Sequence, residues 1–425
     1  MKKLAALCMI CVLLAGCGAA PSAAEPTGSA EAAPTPSAWG VMAAPSMTAT
    51  PQTSDRENSS EERPASIIEE PSAVETPEPE PPQSLTELLP AGPKVVADGA
   101  ELPSVQVDGT TYVNKNDLES VYSWLNIQTD ETSAVLTGYD GTAISLTLAT
   151  PEEAEASAEE NKPCIHFTGQ TEEYWLPLRQ CAEQAGLYVL WDGEGPAVYV
   201  TLMPDTSLIP QGRTVPVWMY HEVGNDIWGI ESLFVSPDNM REQLQYLKDH
   251  GYQTIFFSDL THLSDYDKPV ILTFDDGYLG TYTELFPLLK EFDMKATVFV
   301  ITASIGTEHD ITAEEAKEMS DSGLVSIQSH TVNHPALAEL SAEEQEEELR
   351  QSQLDIARIT GRVPYALSYP TGSHNDTTVE IGRKYYKFGV KMNGGNWRIG
   401  SDFFAVDRLY AARSTTIDGY GAAMP

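Results

Sequence analysis

The chain has 425 residues, with 63 acidic against 25 basic side chains and a formal charge of −38 at neutral pH. Length alone suggests roughly three domains. The charge argues against nucleic acid or anionic lipid as partners recognised by charge, and it fits a self-repelling surface that meets a neutral or cationic partner.

The N-terminus reads as an export signal. Lys2 and Lys3 precede an apolar run, 4–14, that is too short to span a bilayer stably. Leu14-Ala15-Gly16-Cys17 follows and resembles a bacterial lipoprotein box. That resemblance implies cleavage after residue 16, lipid on the Cys17 sulfur, and an exported, extracytoplasmic protein anchored to a membrane. Cys8 and Cys11 would leave with the signal, so Cys164 and Cys181 are the cysteines of the folded part. An exported chain could bridge them. Cys181 falls within a helix-like run, however, and buried free thiols are the expectation.

Residues 17–93 are poor in large apolar side chains and rich in Pro, Ala, Ser, Thr and Glu, so a disordered tether is expected. Within it, Pro77-Glu78-Pro79-Glu80-Pro81-Pro82 favours a stiff extended chain. As a flexible coil the tether would average roughly 50 Å end to end.

Strand and helix patterns return over 94–205, expected to form a small α+β domain, and they repeat loosely. Val107-Asp108-Gly109-Thr110-Thr111-Tyr112-Val113 precedes a helix-like stretch at 115–125. Tyr174-Trp175-Leu176-Pro177-Leu178-Arg179 precedes another at 180–185. This region resembles the repeat of copper amine oxidase N-terminal-like stalk domains, which implies a non-catalytic module that presents or anchors its neighbour. No copper is implied, and His166 is a lone histidine.

A short join leads to a domain over 214–425, where strands and helices alternate. Strands are expected at 215–219, 270–274, 296–300, 324–328 and 366–369. Helices are expected at 236–250, 279–292, 312–322 and 341–360. Ser236-Pro237 caps the first of these. Thr312 with Glu315, and Ser341 with Glu344, form capping boxes for the last two. Such alternation predicts an α/β fold in which helices wrap a parallel sheet, closed into a barrel.

Four polar motifs sit just after apolar strands: Tyr220-His221, Asp275-Asp276, His330, and Pro370-Thr371-Gly372. In α/β barrels the C-terminal strand ends form the active-site face. Adjacent carboxylates at a buried strand end repel each other unless a cation or a shared proton relieves them. The spacing from His330 to His334 lets one helical or tight turn aim two imidazoles at one point. One carboxylate and two histidines suit a divalent metal, with zinc the default.

Thr273-Phe274-Asp275-Asp276-Gly277, Ser329-His330-Thr331-Val332-Asn333-His334 and Tyr369-Pro370-Thr371-Gly372 resemble the successive motifs of the polysaccharide deacetylases, the NodB-like carbohydrate esterases of family four. The resemblance covers residues 215–416. It implies a distorted (β/α) barrel with fewer than eight strands. It implies metal binding by Asp276, His330 and His334, with Asp275 as general base. The backbone N–H of Thr371 would hold the oxyanion, in a loop with Tyr369 and Pro370. The implied reaction removes acetyl groups from amino-sugar polymers of the envelope or matrix, peptidoglycan or poly-N-acetylglucosamine.

Two departures stand out. Ser368 and Thr371 occupy places where the family often carries an arginine that orients the base and an aromatic residue. Arg408 is the candidate replacement for the arginine. The family's late Leu-x-His motif is not found, and no histidine follows His374. Val217-Trp218-Met219-Tyr220-His221 resembles the subgroup in which that motif stands at the front of the domain, which makes His221 the candidate acid. The alternative is a glycan-binding lipoprotein whose site has decayed. Among the remaining candidates, His374 could border the groove. Trp397, in a Gly-rich loop, is either a packing residue or a sugar-stacking one.

Overall fold

The computed structural model describes residues 82–157, 161–400 and 402–425, all within one compact unit, Pro77–Pro425. The expected signal at 1–16, the lipidation site Cys17 and most of the expected tether lie outside the described residues. No described helix is long and apolar enough to cross a membrane.

Seven strands form the central sheet of the C-terminal half: Val217–Tyr220 (β1), Pro269–Phe274 (β2), Ala296–Val300 (β3), Val325–Ser329 (β4), Ala366–Ser368 (β5), Phe388–Gly394 (β6) and Val406–Tyr410 (β7). They follow one another in space as β1-β7-β6-β5-β4-β3-β2, and β2 pairs back onto β1. All seven pairings are parallel. The sheet is therefore a closed parallel barrel with seven strands, as the expectation of fewer than eight requires. The expected first strand is split. Thr214–Val215 pairs antiparallel with Trp397–Arg398, and the ring strand starts only after Pro216, which has no N–H for a ladder.

Helices Pro237–Asp249 (α1), Phe286–Phe292 (α2), Ala313–Asp321 (α3), Ala342–Thr360 (α4), Asp376–Tyr385 (α5) and Ile417–Ala423 (α6) accompany the strands. Ser236 caps α1, and both expected capping boxes are formed. The helix expected at 279–292 instead opens as a π-helical turn, Thr281–Leu285, before α2. Pro287 cannot donate to the carbonyl four residues back, which favours the wider turn.

The period-two alternation of the strands sorts the core. Trp218, Leu272, Phe274, Val298 and Val300 pack outward with Met240 and Leu244 of α1. Val217, Ile271, Phe299, Ala366, Val390 and Val406 fill the inside of the ring. Trp397 belongs to this inner core and is buried, which removes it as a sugar-stacking residue. Two residues further along β2, β5 and β7, the inward positions become polar: Thr273, Ser368 and Arg408. The apolar plug thus ends where the strands' C-termini begin, and the polar layer above it carries the site.

The preceding module contains two sheets, one of four strands and one of seven. Residues 82–93 were expected to end the tether. Here they join the module: Leu85 is buried beside Phe167 and Trp175, and its N–H donates to Glu173 at 3.1 Å. Cys164 and Cys181 are free and buried. Along Tyr188–Asp192 the alternate residues Tyr188 and Leu190 pack toward Leu354 and Ala357 of α4. From α4, Arg358 forks onto both carboxylate oxygens of Asp192, each at 2.7 Å. Gly361, at φ 74°, ends α4 and accepts a hydrogen bond from the Gly99 N–H at 3.0 Å. A Cβ at Gly361 would lie 2.8 Å from the Gly99 Cα, so the backbones can approach this closely only with glycine at 361.

Candidate active site

The site stands on the polar layer at the strand ends. Asp275 follows β2, and its N–H donates to the Tyr220 carbonyl of β1 at 2.9 Å. Asp276 then turns left-handed at φ 73°, and Gly277 continues the turn at φ 84°. Adjacent carboxylates in an extended strand would point to opposite faces. The left-handed turn gives each its own environment.

Asp275 is held by an arginine. Arg408 donates from Nη1 to Oδ1 and from Nη2 to Oδ2, both at 2.7 Å. Its other donors are also occupied: Nε by the Lys391 carbonyl, Nη1 by Thr273 Oγ1 and Nη2 by Ser368 Oγ. All five N–H groups of the guanidinium are therefore satisfied. Its plane lies over the Phe299 ring, at 6.0 Å. Both partners are buried. Burial alone would raise the Asp275 carboxyl, but Arg408, with His330 and His221, overrides it and holds the group well below the usual carboxylate range. Ser368, at the position where the family often places its arginine, donates its hydroxyl to Asp275 Oδ2 at 3.1 Å. The guanidinium enters from β7 instead of β5, and the small Ser368 leaves room for it.

His330 and His334 come from a turn, not a helix. Thr331 and His334 are left-handed, at φ 67° and 56°. Glu348 of α4 ties the turn down by accepting the N–H groups of Val332 and Asn333, each at 2.9 Å. His330 Nδ1 donates to the Ser368 carbonyl at 2.8 Å, which leaves Nε2 facing Asp276 Oδ1 at 3.4 Å. His334 Nε2 lies 3.7 Å from the same oxygen. One ligand atom from each of Asp276, His330 and His334 fits within 4.8 Å of the other two. Two imidazole nitrogens and a carboxylate oxygen, with one ring fixed by a carbonyl on its far nitrogen, suit a divalent ion. Tyr278 stands two residues on from Asp276, and burial, with the Asp276 charge next, pushes its phenol up.

His221, after β1, is buried with its ring edge-to-face against Tyr410 at 6.2 Å between centroids. Its Nδ1 has no hydrogen-bond partner among the described residues. Burial pulls it below the ordinary histidine value, against the pull of Asp275 and Asp276. Thr371 takes φ 55° in the loop after β5. Tyr369 is buried, with its phenol donating to the Phe404 carbonyl, and stacks on His374 at 4.3 Å. Four non-glycine residues with positive φ, at 276, 331, 334 and 371, thus come from three loops of one site.

The model of the family described as polysaccharide deacetylase matches residues 262–386. A Bacillus subtilis protein named "Putative polysaccharide deacetylase YxkH" is 32% identical over 214 residues, covering 49% of this chain and 75% of that protein. The chain belongs to the polysaccharide deacetylase family. The poly-β-1,6-N-acetyl-D-glucosamine N-deacetylase of Escherichia coli is 28% identical over 134 residues. That match covers 27% of this chain and only 20% of the E. coli protein. Among solved structures, the Streptococcus pyogenes deacetylase PplD in complex with acetate is similar at 30% identity. The match covers 50% of this chain and 99% of that one, with a TM-score of 0.48.

In this polysaccharide deacetylase, His221 and Arg408 lie outside the span of the family model, and the closed ring of strands brings both to Asp275. Reading the sequence missed Tyr278 and Glu348. Tyr278 directly follows Asp276-Gly277 and could have been found by its position. Glu348 lies in an acidic helix face, and nothing in the sequence marks it out. Glu222 was missed as well. It is buried, and burial pushes its carboxyl up to about 8. Gly280 makes room for it, since a Cβ there would overlap its Oε1.

Proposed function

We propose that this protein is a metal-dependent N-deacetylase of amino-sugar polymers in the cell envelope or extracellular matrix. One observation carries the reading: an aspartate locked by a fully satisfied arginine stands beside an Asp-His-His cluster of metal-ligand geometry. A decayed site would have no reason to retain both. Asp276, His330 and His334 would hold the ion, with zinc the default for these donors. Bound there, a divalent ion supplies Lewis acidity to the reacting centre.

The chain's own residues account for the proton transfers. Asp275 Oδ1 accepts one protein hydrogen bond and Oδ2 accepts two, so a lone pair on Oδ1 remains for the proton of an attacking water. Arg408 lowers the basicity of Asp275 but fixes its direction, which favours a near-attack arrangement. The Thr371 N–H is the candidate donor to the developing oxyanion. Cleavage of the C–N bond requires a proton on the departing nitrogen, and His221 is the candidate donor. Its lowered proton affinity makes it a stronger acid once protonated.

Lipid anchoring at Cys17 and an extracytoplasmic location belong to the same proposal. They fit a protein whose substrate is an immobile polymer. The test is acetate release by the purified protein from β-1,6- and β-1,4-linked N-acetylglucosamine polymers and from peptidoglycan, before and after chelation and with metal restored. Release that survives complete chelation would refute the metal-dependent reading. No release from any acetylated glycan would leave the glycan-binding alternative.

A further inference from the structure

Large apolar side chains are exposed around the mouth of the site. Of the eight exposed large hydrophobic residues among those described, three contact residues of the site or its loops, Trp228, Met392 and Tyr410, and Ile227 and Ile230 share the loop of Trp228. Met392 borders Gly372 in the Thr371 loop, and Tyr410 packs against His221. The site floor is charged and buried, so this apolar rim does not serve the chemistry of the floor.

Trp228 is the best-defined member. It remains 41% exposed although it is held on several sides. His309 stacks on it at 4.0 Å and an interplanar angle of 5°. Phe234 and Tyr278 meet it edge-to-face at 5.4 and 4.9 Å. Tyr278 in turn belongs to the Asp275-Asp276-Gly277-Tyr278 turn, two residues after Asp276. One aromatic ring therefore separates the exposed indole from the metal-ligand cluster.

The loop that carries Trp228 is closed at its base. Glu222 and Val223 pair with Phe234 and Val235, and the Gly224 N–H donates to the Val235 carbonyl. The Ser232 carbonyl accepts from the Tyr410 phenol at 3.0 Å and from the Arg413 N–H at 3.2 Å. The segment is thus a pinned surface loop with its own side-chain packing. A rigid exposed indole binds at lower ordering cost than a mobile one.

We propose that Trp228, backed by His309, is a stacking platform for a sugar unit next to the one that is deacetylated. The platform makes the enzyme selective for chains over single sugars. A pyranose ring presents a face of C–H groups that matches an indole, while its hydroxyls stay in water. Continuity with the site through Tyr278 indicates that the occupant is the substrate chain. The charges nearby favour a neutral sugar over an anionic surface: Asp226 and Glu231 flank Trp228 in its loop, and Glu308 precedes His309. The inference rests on the deacetylase reading, and the experiment separates the two.

Full-length wild type, Trp228→Ala and Trp228→Phe are assayed on N-acetylglucosamine oligomers of increasing length and on a small activated acetate ester. In the wild type, KM is expected to fall as the chain lengthens. Trp228→Ala is expected to abolish that dependence, raising KM for the longest oligomer about tenfold with kcat within about twofold. The ester should be turned over unchanged, and Trp228→Phe should recover most of the length dependence. Length dependence that persists in Trp228→Ala, or an equal loss on the ester, overturns the platform. If the wild type releases no acetate, the deacetylase reading fails by itself, and calorimetric titration with the same oligomers still decides the platform. Length-dependent binding that Trp228→Ala removes upholds it, and unchanged binding overturns it. Loss of binding to anionic lipid vesicles, with oligomer binding intact, would assign the rim to a membrane and also overturn it.

Discussion

Replacing Arg408 by methionine tests the central contact of the site. The substitution removes five hydrogen bonds and the only cation paired with Asp275 among the described residues. Both partners are buried, with Arg408 at 1% and Asp275 at 2% exposure. Breaking such a pair from one side strands a charge, and the expected cost is about 3–5 kcal/mol. Asp275 can limit the loss by taking up a proton, since its carboxyl is held low chiefly by Arg408 in opposition to burial. The cost should therefore shrink as pH falls toward the ordinary carboxylate range. Asp275→Asn in the same chain should recover part of it, and the double-mutant cycle should show coupling well above about 1 kcal/mol. Urea unfolding of the four proteins at neutral and acid pH gives these quantities. Acetate release should fall by about 100-fold or more in Arg408→Met, because the base loses its orientation. Arg408→Lys should not rescue it, since an ammonium cannot form the two parallel bonds. A loss below about 1 kcal/mol at neutral pH, independent of Asp275, would show that the pair is incidental.

His330→Ala and His334→Ala should each lose bound metal, measured by elemental analysis of the purified protein, because a carboxylate and one imidazole retain little affinity. Full occupancy in either would reject the ligand set. Asp275→Asn should keep metal and lose turnover, whereas Asp276→Asn should weaken metal binding, so indistinguishable variants would contradict the division of roles. His221→Ala should keep metal and fold while losing most of its rate on an N-acetyl sugar and less on an activated ester, whose leaving group needs no proton. Equal losses on the two substrates would remove it from the role of acid. Glu222 gives a pH dependence of stability. Its carboxyl is raised to about 8 in the folded protein, so between its ordinary value and 8 the folded state holds a proton that the unfolded chain has released. Stability should fall with rising pH across that window, by up to about 1.4 kcal/mol per pH unit. Glu222→Gln keeps the size of the side chain without its titrating proton and should remove the slope. Parallel unfolding curves for wild type and variant at pH 5 and pH 8 would contradict this.

Much of the site could be read along the chain because its parts are local. Asp275-Asp276-Gly277 needs a strand, two acids and a residue free to turn, all consecutive. His330 and His334 share a single turn. Capping boxes at Thr312 and Ser341 are likewise set within four residues, and the alternation of apolar strands with capped helices carries the fold class. The family model likewise spans these local motifs, without reaching His221 or Arg408.

What the sequence could not decide were contacts between residues far apart in the chain. Ring closure of β1 onto β2 and β7 brings Arg408 to Asp275 across 133 positions, and the inward phase of β7 aims the guanidinium at the carboxylate. Ser368 looks like a lost arginine in sequence and becomes, in the barrel, the space that a different arginine fills. Glu348, Tyr278 and the Trp228–His309 stack have the same origin. Each depends on a loop or helix meeting another strand's end, and a helix periodicity or a strand alternation fixes only which face a residue occupies. Trp397 shows the converse: its Gly-rich loop left packing and sugar-stacking both open, and antiparallel pairing with Thr214–Val215 turned the indole into the inner core. Local chemistry and secondary structure are properties of neighbours along the chain, whereas the partner of a buried charge is set by the closure of the sheet.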